Sequence, residues 1–346
     1  MDKDILRKII DAGNLAPSGS NSQPWSFIVD GDTILVRMHP EKDHPILNVG
    51  NRGTYVAHGA LVENMRIAAR RYGFEASVDS FPEPGISARV TFRSGAHDHG
   101  LLYDVIATRH SNRRPYRRVP LAPNEMAALL AVHAEPKCEL LTIEGHAIEA
   151  AAPWLAADLP ITLTNRTLHD LLFREVLWQE REQMERPGLY VKTMEITPPK
   201  SFVFRWLSSW GVAEFFNRLK LIDRIAGENT NTVASSGLIG MIVVHGTDED
   251  FLHVGSYLER LWLTVSSLGL AMQLLTGVLF FEQGMTQGAR DALTANEQAM
   301  IADAVGHLKE IFGVKDGTMA IAFRVGQAKP PTAVSLKRPP DIEWKR

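Results

Sequence analysis

Five arginines crowd one short polar stretch, ATRHSNRRPYRRVP at 107–120, and three of them, Arg109, Arg113 and Arg114, surround Ser111 and Asn112 just before Pro115. A guanidinium is a rigid fork of donors, Ser111 adds a hydroxyl, and a helical pattern that stops here leaves backbone groups free, so a phosphate is a natural guest. A nucleic-acid backbone, or a solvated basic turn paired with surface carboxylates, would use the same residue types. The surrounding chain lacks interleaved aromatics and further basic stripes, which argues against a nucleic-acid groove. A second stretch, NLAPSGSNSQPWSFIVDGD at 14–32, sets small hydroxyl, amide and glycine residues between two prolines and then turns to Trp25, Phe27, Ile28 and Val29. It is either a link from a first helix to a first strand or a loop that presents its backbone to a ligand.

Other chemistries find no local support. The histidines, among them His39 and His44 or His97 and His99, never join a carboxylate at a recognised ligand spacing, and the single Cys138 excludes an intramolecular disulfide and a cysteine-based metal cluster. There is no GxSxG elbow, Walker loop or GxGxxG fingerprint. Glu63 and Glu259 lie in largely apolar helical patterns, where helix pairing or capping of a nearby loop is the simpler role than mechanism.

The elements that must position these stretches read as a mixture. Residues 4–15 put Leu6, Ile9 and Ile10 at helical spacing, FIVDGDTILVRM suggests two strands joined at Asp30-Gly31, and residues 54–72 predict a helix ended by Gly73. SARVTFRS is strand-like, SGAHDHG at 94–100 is a polar connection, and LLYDVIATRHS and NEMAALLAV predict helices. Residues 154–226 are dense in Trp, Phe and Leu but interrupted by MERPGLY and ITPPKSF, so they predict several short helices. GLIGMIVVHG predicts a buried strand, GSYLERLWLTVSSLGLAMQLL a buried helix, and MAIAFRVG a strand before the Pro-rich basic tail AKPPTAVSLKRPPDIEWKR. The tail is expected to wrap along something larger, and the alternation favours an α+β or α/β class.

An echo organises the chain. Gly59, Glu63, Gly73 and Phe74 recur in order and spacing as Gly255, Glu259, Gly269 and Leu270. Two diverged copies of one unit, joined near 94–100, would produce it; so would chance likeness between two core helices. The 346 residues, 45% hydrophobic, suffice for two domains or one large one. A net charge of −3 gives no global basic field, and no apolar run approaches the roughly 18 residues that span a bilayer. With a charged, helical amino end, a cytoplasmic protein without nucleic-acid or membrane partners is expected.

NLAPSGSNSQPWSFIV resembles the PSxxNxQPWxF loop of the flavin-dependent nitroreductase superfamily, and TRHSNRRPY resembles its RxSx(R/K) flavin-phosphate motif. NMRIAARRYGF and LWLTVSSLGL look like its central interface helix, and FRVG followed by SLKRPP like its terminal strand and basic tail. In ordinary members the arginine motif precedes the loop, and two chains build two composite FMN sites. Here the order is reversed and neither motif has a second copy, so the resemblance implies a fused, divergent pseudodimer with one surviving site. The implied fold is α+β, with two related halves, each a mainly antiparallel sheet with helices. Residues 1–95 carry the PSGSNSQPW loop; residues 100–346 carry RHSNR, a helical insertion or lid at about 154–226, and the basic tail.

Residue by residue, the resemblance implies that Arg109, Ser111 and Arg113 hold the ribityl phosphate while His110 contributes mainly backbone. It implies that Pro17, Ser18 and Gly19 pass along the isoalloxazine from the opposite half, that Asn21 and Gln23 shape the loop, and that Trp25 anchors it. Lys337 or Arg338 matches the basic contact to the phosphate, and Asn229, Asn231, Ser235 and Ser236 are ring-edge candidates by position. The implied cycle takes hydride from NADH or NADPH and passes electrons to a small nitroaromatic, quinone or related acceptor, with the cofactor carrying the redox chemistry. Fused members with sequestered flavin supply an alternative, an FMN-binding protein whose lid leaves little reductase activity; other flavin redox chemistry on a specific small metabolite is a third. A monomer suffices for one site and leaves room for further dimerisation.

Overall fold

The computed structural model describes residues 1–44, 46–98, 100–286 and 289–345, so His99 of the polar connection lies outside the described residues. Strand β1 (Trp25–Asp30) pairs antiparallel with β2 (Thr33–Met38) up to Asp30↔Thr33, which leaves Gly31 and Asp32 as the turn. Gly31, at φ 58°, supplies the positive φ that a two-residue hairpin turn needs. After the helix Arg52–Arg71, β3 (Phe74–Glu83) and β4 (Ile86–Ser94) return to the same sheet, with β4 beside β2 and β3 at the edge.

A second sheet begins with β5 (Cys138–Ile143). Short helices follow, His146–Leu155, Asp158–Thr164, Arg166–Glu175, Pro198–Leu207, Trp210–Arg218 and Leu221–Val233, as the broken apolar pattern predicts, with a parallel pair β6 (Val176–Leu177) and β7 (Leu189–Tyr190) among them. The sheet resumes with β8 (Leu238–Val244), β9 (Ala271–Leu275) and β10 (Thr318–Gly326) in the order β5-β8-β10-β9. Its two faces are both covered. Met241, Val243 and Met319 pack with the helices His146–Leu155 and Ala295–Phe312, while Leu238, Ile242 and Phe323 pack with the helix Phe251–Ser267. That is why β8 is apolar and buried at every position.

Two sequence expectations are corrected. The helix read through GSYLERLWLTVSSLGLAMQLL stops at Ser267, Gly269 takes φ 72°, and AMQLL becomes β9 paired with β10. The helix read through LLYDVIATRHS stops at Ile106, which leaves Arg109, His110 and Ser111 in an irregular segment. The tail, reckoned with the second half in sequence, crosses back: β11 (Ile342–Trp344) pairs parallel with β1 through Phe27↔Ile342, completing the first sheet as β11-β1-β2-β4-β3.

The internal echo has a three-dimensional form. β1-β2-β4-β3 and β5-β8-β10-β9 share strand order and antiparallel sense, each first strand follows a helix (Lys3–Asn14 and Pro123–Leu130), and a long central helix joins the second strand to the third. The central helices Arg52–Arg71 and Phe251–Ser267 cross at their glycines. A Cβ on Gly59 would lie 1.9 Å from the Leu252 carbonyl oxygen, and one on Gly255 would lie 2.0 Å from that of Val56. Each glycine therefore seats the other helix's backbone, and the Ser256 hydroxyl donates to the Gly59 carbonyl at 3.0 Å.

Candidate functional site

The loop after Asn14 is bent into an unusual path. Ser20, Asn21 and Gln23 take φ 46°, 53° and 48°, in the left-handed region that costs side-chain-bearing residues energy and persists only where the surroundings dictate it. The surroundings are the basic tail. Asn21 Nδ2 donates to the Leu336 carbonyl at 2.8 Å, and Gln23 and Arg338 exchange two bonds, Gln23 Nε2 to the Arg338 carbonyl at 3.0 Å and the Arg338 amide to Gln23 Oε1 at 2.8 Å. Asn14 joins them, accepting from Trp25 Nε1 at 2.9 Å and from Gln23 Nε2 at 3.1 Å. Ser18 Oγ accepts from the Gln23 amide at 3.0 Å. The amides of Asn21 and Gln23 thus shape the loop, and buried Trp25 anchors it.

Three cations converge on the backbone of this loop. Arg109 Nη2 donates to the Leu15 carbonyl at 2.8 Å, Lys337 Nζ to that of Ala16 at 2.6 Å, and Arg338 Nη2 to that of Ser22 at 2.7 Å. Of the three, among the described residues, only Arg109 has a carboxylate ion-pair partner, Glu259, fully buried on the second central helix, whose Oε1 lies 2.9 Å from Arg109 Nε. Burial raises the Glu259 pKa more than Arg109 lowers it. Burial, with Arg109 and Arg338 adding repulsion and Glu259 opposing it, brings Lys337 down to about 7. Arg338 Nη1 is buried without a hydrogen-bond partner. Carbonyl dipoles are weak substitutes for an anion beside so much buried positive charge, and a phosphate would satisfy it.

The remaining arginine-motif residues divide. Ser111 bridges to Met272 of β9, and the Asn112 amide donates to the Met272 carbonyl at 2.9 Å, so this stretch is pinned along the second sheet. His110 is half-buried, and burial followed by Arg109 lowers its pKa. Arg113 turns to the insertion, donating from Nη1 to the Thr193 carbonyl at 3.1 Å, and Arg114 Nε lies 3.1 Å from Glu195 Oε2. The hydroxyls of Ser235 and Ser236 donate to the carbonyls of Thr232 and Val233 at the end of their helix. Asn14, Glu259 and Arg338 carry more of the site than the motif spacing indicates.

The 154–226 segment bonds to the loop and to the tail. Ser20 Oγ donates to Glu175, the Gly188 amide donates to the Ser20 carbonyl at 2.7 Å, and Gln183 Oε1 accepts from the Leu336 amide at 2.9 Å. Beneath it lies a cleft of about 210 Å³ lined by Gly19, Ser22, Lys42, His44 and Arg174 among others. Pro17 and Gly19 belong to the same turn, Gly19 packing against Asp43, whose carboxyl burial pushes up to about 6.

The counterpart of this site in the repeat is filled. There Arg260 grips Glu63 of the first central helix at 2.9 and 3.0 Å and donates from Nη1 to the His133 carbonyl at 3.1 Å, as Arg109 does toward Glu259 and Leu15. A second acid is present, Glu135, 2.9 Å from Arg260 and 3.7 Å from both Arg66 and His253. His253 and Arg260 hold the Glu135 carboxyl down at about 2. Two carboxylates thus neutralise two arginines, whereas at the first site, among the described residues, Glu259 pairs with Arg109 and neither Lys337 nor Arg338 has a carboxylate partner. Among the described residues no group of three or more His, Cys, Asp and Glu side chains gathers as a metal site.

No family model matches the chain. It is 26% identical over 347 aligned positions to "Uncharacterized protein MT1398" of Mycobacterium tuberculosis, covering 95% of this chain and 47% of that protein. It is 26% identical over 123 residues to "Putative NAD(P)H nitroreductase acg" of the same organism, covering 34% of this chain and 37% of that protein. The chain resembles the nitroreductases. It spans about half the length, or less, of the curated relatives it matches. Among solved structures it is similar to "a putative nitroreductase from anabaena variabilis", with 10% identity, TM-score 0.42, and 95% of this chain and 74% of that one covered. It is also similar to the FMN-dependent nitroreductase NfnB of Mycobacterium smegmatis in complex with NADPH, with 16% identity, TM-score 0.37, and 67% and 90% covered. Among the described residues no helix is long and apolar enough to cross a membrane.

Proposed function

We propose that the chain binds one FMN and works as an NAD(P)H-dependent oxidoreductase of nitroreductase type, reducing a small nitroaromatic, quinone or related electron-poor acceptor. The observation that carries this reading is the positive charge gathered around loop 15–22, where Arg109, Lys337 and Arg338 sit on backbone carbonyls and, among the described residues, only Arg109 has a carboxylate partner, Glu259. Those three cations hold the phosphate, with Ser111 and the backbone of His110 beside them. Bound FMN would supply two-electron redox chemistry that the side chains lack.

The chain's own residues do the remaining work. Glu259 aims the Arg109 guanidinium, and the Asn14, Asn21 and Gln23 amides keep the loop in its left-handed path so that Pro17, Ser18 and Gly19 present backbone to the ring. The insertion, through Glu175 and Gly188, latches onto the loop at Ser20 and restricts access to the site. This also favours a second reading, a flavin-sequestering protein with little turnover, because the lid is hydrogen-bonded to the loop itself at Ser20. The two are separated by adding NADH and then NADPH anaerobically to the FMN-loaded protein. Rapid bleaching of the flavin band and its return with an acceptor support the reductase; retention of colour with FMN bound supports sequestration.

A further inference from the structure

Twelve large hydrophobic side chains stand exposed among the described residues, and five of them, Phe202, Trp206, Phe215, Leu219 and Leu221, fall within one stretch of twenty residues. They lie on the consecutive insertion helices Pro198–Leu207 and Trp210–Arg218, at Leu219 just after the latter, and at the start of Leu221–Val233. Phe202 and Trp206 touch, with ring centroids 4.7 Å apart, and Phe215 and Leu219 are one helical turn apart. These helices do not lack a core. Leu207, Ala213 and Ile222 are buried with Leu163 in a cluster of their own, so the exposed rings form a separate, outward set. Clustered exposed apolar surface of this kind marks an interaction site.

Basic side chains are interleaved with the rings. Lys200, Arg205, Arg218, Lys220 and Arg224 are all exposed. Glu228 pairs with Lys200 at 2.7 Å and Glu214 with Arg218 at 3.0 Å; Arg205 lies 5.5 Å over the Trp178 ring, and with Lys220 and Arg224 it outweighs Asp223. Exposed aromatic and leucine side chains with surplus lysine and arginine on consecutive helices are what a segment needs to lie on a bilayer. We infer that the outer face of residues 198–224 docks on an anionic lipid surface, its rings at the acyl boundary and its cations among the headgroups. A second copy of this chain fits less well, because a two-fold interface sets the same surplus cations against one another. The docking is peripheral and independent of the flavin reading, and it departs from the expectation of no membrane partner, which rested on the lack of a spanning segment.

Co-sedimentation of the whole protein with phosphatidylcholine vesicles, with and without phosphatidylglycerol, tests this. Binding is expected only with the anionic lipid, with most of it lost at about 0.5 M salt. Phe202→Ser with Trp206→Ser, and separately Lys220→Glu with Arg224→Glu, should each lower the partition coefficient about tenfold or more while leaving circular dichroism and melting unchanged. Absence of lipid-dependent sedimentation, equal binding to both vesicle types, or wild-type binding by the variants would overturn the inference. So would concentration-dependent self-association in lipid-free solution that the aromatic double variant abolishes, because a second copy would then occupy this face.

Discussion

Buried beside Arg109 and Arg338, Lys337 titrates near pH 7 instead of its ordinary 10.5, so near neutrality the free protein holds it in both protonation states. A phosphate against Nζ favours the ammonium, and binding therefore takes up a proton above pH 7. FMN affinity is expected to be level below about pH 7 and to fall by up to about tenfold per unit above it, read by quenching of flavin fluorescence, with Lys337→Met giving a weaker and flatter profile. Glu259 acts on the same charge from the other side. Replacing it by Gln leaves Arg109 buried without its carboxylate, and urea unfolding should show a loss of about 3 kcal/mol, part of which saturating FMN restores. The motif singled out Arg109, and the resemblance pointed to Lys337 or Arg338 in the tail; all three reach carbonyls of the same loop. The part played by Glu259 was not, because an acid in an apolar helix looks the same whether it faces another helix or a buried arginine 150 residues earlier in the chain.

At the scale of elements, the crossing of the two central helices was partly written in the sequence. The spacing from Gly59 to Glu63 to Gly73 repeats because both helices need a glycine where backbones touch, an acid one turn later, and a left-handed residue after the end. Gly59→Ala or Gly255→Ala puts a methyl group within 2.0 Å of a carbonyl oxygen and should destabilise the fold by about 3 kcal/mol or more in urea unfolding, since backbone cannot step aside as a side chain can. What the sequence hid were elements whose pattern serves another purpose. β3 lies at a sheet edge, where Glu75, Ser77, Asp79, Ser80 and Pro82 leave few large apolar residues to mark a strand, and AMQLL continues the apolar run of the helix before it although Gly269 has already ended that helix. The proposed lid is a further test at this scale. Gly188 sits at φ 149° with the Glu175 carbonyl oxygen 2.3 Å from where a Cβ would lie, so Gly188→Ala should loosen the latch on Ser20 and speed FMN release, measured by stopped-flow transfer to an apoflavodoxin trap.

For the molecule as a whole, two sheets of the same order and sense give two equivalent places where an arginine spans a central-helix glutamate and a loop carbonyl. Charge separates them: Glu135 completes the neutral clamp around Arg260, while Lys337 and Arg338 arrive from the tail only at the Arg109 site. The fold class, the repeat and the loop were readable from motif and periodicity. The asymmetry depended on where the tail crosses back, which residues so distant along the chain cannot reveal. The most direct test of the account is the stoichiometry of FMN binding to the purified, FMN-free chain, followed by spectral titration and repeated with Arg109→Ala and Lys337→Ala variants that melt cooperatively. The account predicts one FMN per chain and a loss of affinity of at least about tenfold in each variant. No saturable binding, two FMN per chain, or wild-type affinity in both variants would contradict it.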